Sequence, residues 1–120
     1  MSLYEDIIKL NRTFSSLKEL YEKSEKPQDK KDPALFSYVK QQTLPIFKDI
    51  DNWKENALEF VKQRSVAVHP QQIESTAENL ELLLMHSYYI DVKRKRYMEL
   101  YQSIVYVFDL LLKDLESNTK

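Results

Sequence analysis

The chain has 120 residues, no cysteine, no glycine and a formal net charge of -1, with 31% of its residues charged. Average usage would supply roughly eight glycines, and their absence removes the φ > 0 positions that hairpins, bulges and phosphate-cradling loops need. Gly-based nucleotide motifs, thiolate metal sites, cysteine nucleophiles and disulfides are excluded with them. The near-neutral charge gives no global attraction to nucleic acid or membrane.

Helix 1 is expected from about Leu3 to Lys26. Ser2 and Glu5 have capping-box spacing, and Leu3, Ile7, Leu10, Phe14, Leu17 and Tyr21 form a heptad stripe. Pro27 and the charged segment EKSEKPQDKKDP end it. Helix 2 is expected over about 33 to 64, opening on Asp32-Pro33 with an acceptor at N-cap and proline at N1. Leu35, Phe36, Val39 and Leu44 supply its first apolar side, and Trp53, Ala57, Leu58, Phe60 and Val61 its second. Pro45 lacks an amide donor and disfavours helical geometry at Leu44, while Asn52 and Glu55 have cap spacing. The prediction is a kink or a split between Pro45 and Asn52.

The loop from Ser65 to His69 carries Val66, Ala67 and Val68 and is expected to pack on the bundle end. Pro70 opens helix 3, where Ile73, Thr76, Leu80, Leu83, Ser87 and Ile90 keep heptad phase. The same phase continues through Arg94 to Tyr97, Tyr101, Ile104, Phe108, Leu111 and Leu115. One helix over that whole range would be roughly 69 Å long, too long for this chain to cover. A turn near Asp91 to Arg96 is predicted instead, with helices over about 70–91 and 95–116 and a polar SNTK tail. The expectation is one all-α domain over residues 1–120, an up-and-down four-helix bundle.

Several residues, taken in order, resemble the YppE-like family of small all-helical proteins from low-GC Gram-positive bacteria. They are Phe36 and Lys40, then Trp53-x3-Ala57-Leu58, Val61-Lys62-x-Arg64 and Val68-His69-x2-Gln72-Ile73-Glu74. Asn79, Ser87-Tyr88, Lys95-Arg96-Tyr97, Ser103 and Tyr106 follow. The match covers about residues 33 to 110; Pro45 and a one-residue shortening between Arg64 and His69 depart from the pattern. The resemblance implies a small cytoplasmic helical bundle and carries no activity with it.

Candidate chemistry is sparse. Di-iron bundles use Glu-x-x-His pairs, but Val66 and Leu83 stand three residues before His69 and His86, so no metal or cofactor is expected. His69 reads as a capping or packing residue and His86 as a partly buried, satisfied histidine. Glu55 with Glu59 and Glu78 with Glu81 read as solvated carboxylate pairs, without the burial that acid-base work needs. No enzyme is expected, and neither a signal peptide nor a membrane span is legible.

Two surfaces remain. The heptad phase points Leu82, Tyr88, Tyr89, Tyr106 and Leu110 outward or sideways, and tyrosines on such a face suit an interface with a protein partner or a second copy. The alternative is an anion or nucleic-acid site at one end, built from Lys30, Lys31, Lys93, Arg94, Lys95 and Arg96. That end gathers eight basic against five acidic residues, a net +3, leaving -4 on the remainder. If the basic run instead closes helix 3, it is a solvated cluster favourably placed against the helix dipole.

Overall fold

The computed structural model describes residues 2–63 and 66–118. These residues form four helices: α1 (Leu3–Lys23), α2 (Pro33–Lys62), α3 (Pro70–Tyr89) and α4 (Arg94–Asn118). The expected end of the second helix at 64, Ser65 and the last two residues of the polar tail lie outside the described residues. The starts follow the sequence signals. The Ser2 hydroxyl accepts the Glu5 amide at 3.1 Å and donates to its carboxylate, and Asp32 accepts the Ala34 amide at 3.0 Å ahead of Pro33. At α3 the His69 amide donates to the Gln72 side chain at 2.9 Å.

The helices run alternately up and down. α1 and α3 lie side by side, each also touching α2 and α4, whereas the α2 and α4 backbones do not approach one another. Trp53 bridges that gap by meeting the edge of Phe108, ring centres 5.3 Å apart. Every residue of the α1 stripe is buried, and Ile73, Thr76, Leu80, Leu83, Ser87, Tyr97, Ile104, Phe108 and Leu111 are buried as their heptad phase requires. Val68 and Val66 pack on the far end of this core. Trp53 is fully buried, and its indole N–H has no hydrogen-bond partner among the described residues.

α2 is one unbroken helix through Pro45, so the end-to-end split is not taken and Asn52 caps nothing. At about 45 Å it is half as long again as α3 at about 30 Å. Its two halves differ. Ile50, Trp53, Ala57, Phe60 and Val61 fill the core, but the first half buries only Val39 and Thr43. Leu35 is half-buried, and Phe36 and Leu44, expected on the apolar side, are 59% and 56% exposed. Phe36 lies where α2 reaches the last turns of its neighbours, and Leu44 sits one residue, about 100°, round the helix from buried Thr43.

The turn between α3 and α4 spans Ile90 to Lys93. Ile90 closes α3 in the left-handed region, φ 51° and ψ 46°, its amide bonded to the His86 carbonyl at 2.9 Å. The basic run therefore opens α4. Its placement against the negative end of the α3 dipole is corrected: Ile90 ends α3 first, and Arg94, Lys95 and Arg96 occupy the first turn of α4, at the positive pole.

Candidate interaction surface

The α3–α4 turn and the loop after α1 meet at one end of the bundle. Tyr21 stacks on Tyr97 with ring centres 3.9 Å apart and donates its hydroxyl to the Val92 carbonyl at 2.7 Å. Ser87 donates to the Leu83 carbonyl at 2.7 Å, so the Tyr97 hydroxyl donates to Ser87 at 2.6 Å. This pairing explains a serine in a core position. Burial pushes the Tyr97 phenol up to about 12.

Around this buried knot lies a ring of charge. Asp91 accepts from His86 Nδ1 at 2.6 Å and from Lys30 Nζ at 2.9 Å. Burial raises the Asp91 carboxyl, but the hydrogen bonds from His86 and Lys30 outweigh it and hold the group below the usual carboxylate range. Arg94 pairs with Glu22 at 3.1 Å. Of the six proposed anion-binding residues, Lys30 and Arg94 are thus neutralised locally. Lys31, Lys93, Lys95 and Arg96 are exposed, and none has an ion pair among the described residues.

The five residues expected to form a partner surface are dispersed. Leu82, 46% exposed, lines a hollow with Phe47 and Met85 between α2 and α3. Tyr88 is half-buried against the edge of Tyr38, ring centres 6.3 Å apart, and Tyr89 is half-buried with Lys30 Nζ 5.8 Å from its ring centre. Tyr106, 62% exposed, stands in a shallow groove between α3 and α4 lined by amides and hydroxyls, including Gln72, Ser75, Asn79 and Ser103. Leu110 packs half-buried on the core.

A denser run of exposed apolar side chains lies on α2, spread around the helix and not confined to one face. Phe36, Tyr38 and Leu44, each more than half exposed, fall within nine residues on the first half of α2. Ala34, Ser37, Tyr38, Lys40, Gln41 and Leu44 lie along one open, solvent-facing side of that helix. The legible signal for it was charge: Lys40 is the sole charged residue from 33 to 47, where the chain average gives about five.

Among the described residues no group of three or more His, Asp or Glu is placed to hold a metal ion. Among the described residues no helix is long and apolar enough to cross a membrane.

The fold matches the crystal structure of yppE from Bacillus subtilis with a TM-score of 0.73 over 95% of each chain, at 22% identity. The protein named "Uncharacterized protein YppE" of Bacillus subtilis (strain 168) is 36% identical over 55 residues. That stretch spans 45% of this chain and 45% of that relative, less than half the length of either. A family model described as a bacterial domain of unknown function, DUF1798, matches residues 7–115, nearly the whole bundle. On that match the chain belongs to the DUF1798 family, and its resemblance to YppE is one of family and fold.

Proposed function

We propose that the protein is a non-catalytic, cytoplasmic interaction module that docks a protein partner through the first half of α2 and the adjoining end of α3. One observation carries this reading. Of the seven large apolar side chains exposed among the described residues, three (Phe36, Tyr38 and Leu44) fall within nine residues of one helix. Charge depletion with aromatic enrichment is the composition of an interface centre, and Tyr88 extends the display by packing on Tyr38.

A photo-crosslinking amino acid at position 38, introduced into the full chain in living cells, tests it. The expected result is a discrete protein adduct that Leu44→Arg abolishes while the helical circular dichroism is unchanged. Absence of any adduct from positions 36, 38 and 44 would overturn the reading.

The second reading is anion or nucleic-acid binding at the basic end. It is favoured by exposed Lys93, Lys95 and Arg96 at the start of α4, where side-chain charge and helix dipole have the same sign. It requires binding to a DNA or RNA oligonucleotide that weakens steeply with salt and falls when Lys93, Arg94, Lys95 and Arg96 become alanine.

A further inference from the structure

We propose that the first half of α2 is an arm hinged at Pro45 and latched at its far end by Lys30 on Asp91. Resting on the α2 interaction reading, the latch regulates docking by holding Tyr38 of the arm beside Tyr88 of α3.

The hinge follows from backbone chemistry. Pro45 has no amide to offer the Gln41 carbonyl, and its ring disfavours helical geometry at Leu44. The α2 backbone is therefore weakest where its well-packed half begins. Before that point the arm buries only Val39 and Thr43, and the Thr43 hydroxyl turns back to the Lys40 carbonyl of its own helix at 3.4 Å. From Pro33 to Pro45 the arm is about 18 Å long at a rise of 1.5 Å per residue. A contact near its tip acts on a long lever.

The latch has a fixed half and a moving half. Asp91 is the fixed half. Ile90 before it closes α3 through the His86 carbonyl, and His86 Nδ1 holds one of its carboxylate oxygens at 2.6 Å. Val92 after it accepts the Tyr21 hydroxyl from α1 at 2.7 Å. Lys30 is the moving half. It lies in a closed turn, where the Lys31 amide donates to the Asp29 carboxylate at 2.9 Å and the Asp32 amide to the Asp29 carbonyl at 3.3 Å. Asp32 then caps α2 through the Ala34 amide, so no slack chain separates Lys30 from the arm. Lys30 Nζ reaches the second Asp91 oxygen at 2.9 Å and stands 5.8 Å from the centre of the Tyr89 ring.

Both partners of this ion pair are partly open to solvent, and such pairs are weak. Two buried side chains and one weak pair hold the arm marginally, which is the condition for a segment that opens on its own. Latched, the arm sets Tyr38 against the edge of Tyr88, ring centres 6.3 Å apart. Unlatched, the two parts of the docking surface separate, and the affinity for a partner falls with the closed fraction.

Hydrogen exchange of the full chain reads the arm, and crosslinking from position 38 reads its consequence. Lys30→Gln and Asp91→Asn are each expected to speed exchange of the Phe36 to Leu44 amides about twofold or more, leaving Ile50 to Val61 unchanged. The double variant should be no faster than Asp91→Asn alone, because both substitutions remove one bond. Neither variant touches the docking side chains, yet each should lower the yield of the adduct from position 38 by about half. Exchange in Lys30→Gln equal to that of the wild type overturns the latch. Acceleration that extends equally to Ile50 to Val61 also overturns it, since the cluster would then support the whole bundle. Faster exchange of the arm with an undiminished adduct overturns the regulation. Faster exchange with no adduct even from the wild type overturns the interaction reading, and the hinge and latch stand without it.

Discussion

Burial holds the Tyr97 phenol near 12, against 10.0 for a tyrosine in water. Because the folded state keeps its proton longer, the unfolded chain ionises first as pH rises. Stability from this group is complete below pH 10 and is lost between pH 10 and 12, by about 2 to 3 kcal/mol at ~1.4 kcal/mol per unit. Tyr97→Phe should flatten that alkaline loss in urea titrations. At neutral pH it should cost only about 1 kcal/mol, since Ser87 keeps its bond to the Leu83 carbonyl. Tyr21 and Tyr88, also raised by burial, leave a residual slope of the same sign. Ile90 gives a second residue-level test. A β-branched side chain at φ 51° is sterically costly, and in a chain without glycine no residue was available to relieve it. Ile90→Ala and Ile90→Gly remove nearly the same packing, but only glycine relieves the backbone. The glycine variant should therefore be the more stable by about 1 kcal/mol in chemical denaturation, reversing the usual order of the two residues in helices.

Among the elements, α4 has the least favourable start. α1 and α2 open on side chains that accept an amide, whereas α4 opens on Arg94, Lys95 and Arg96 with no acidic residue in its first turn. Cations there oppose the dipole, and each reversal should gain about 0.5 to 1 kcal/mol at low salt. Lys95→Glu is expected to raise the urea midpoint, with the gain shrinking as salt is added. Arg94 is the exception because Glu22 offsets its charge. What the sequence left legible here follows the same division. Helix starts, the α1 stripe and the phase shared by α3 and α4 are written in local patterns, namely caps, prolines and heptads. The turn was bracketed by the weak core positions Ser87 and Arg94, but its end at Ile90 was not marked, because glycine is the usual signal and this chain has none. Phe36 and Leu44 read as core since they are apolar at helical spacing; their exposure depends on where α1 and α3 stop, a tertiary fact that no window on α2 contains. Tyr88 and Leu110, expected to point outward or sideways, are half-covered by Tyr38 and by the core.

At the scale of the whole molecule, 51 × 26 × 22 Å, stability is distributed unevenly along its longest helix. The second half of α2 contributes Ile50, Trp53, Ala57, Phe60 and Val61 to the common core, while Val39, though buried, stands outside that cluster. Pro45 divides the halves and leaves the Gln41 carbonyl without its usual i+4 amide donor. Local opening is cheapest where few apolar contacts are lost. The first half of α2 should therefore open without the rest of the bundle, and hydrogen exchange should show it. Amides from Phe36 to Leu44 are expected to exchange at least tenfold faster than those from Ile50 to Val61 in dilute protein. A uniform protection along α2 would mean that Val39 and Thr43 anchor the first half as firmly as Trp53 anchors the second.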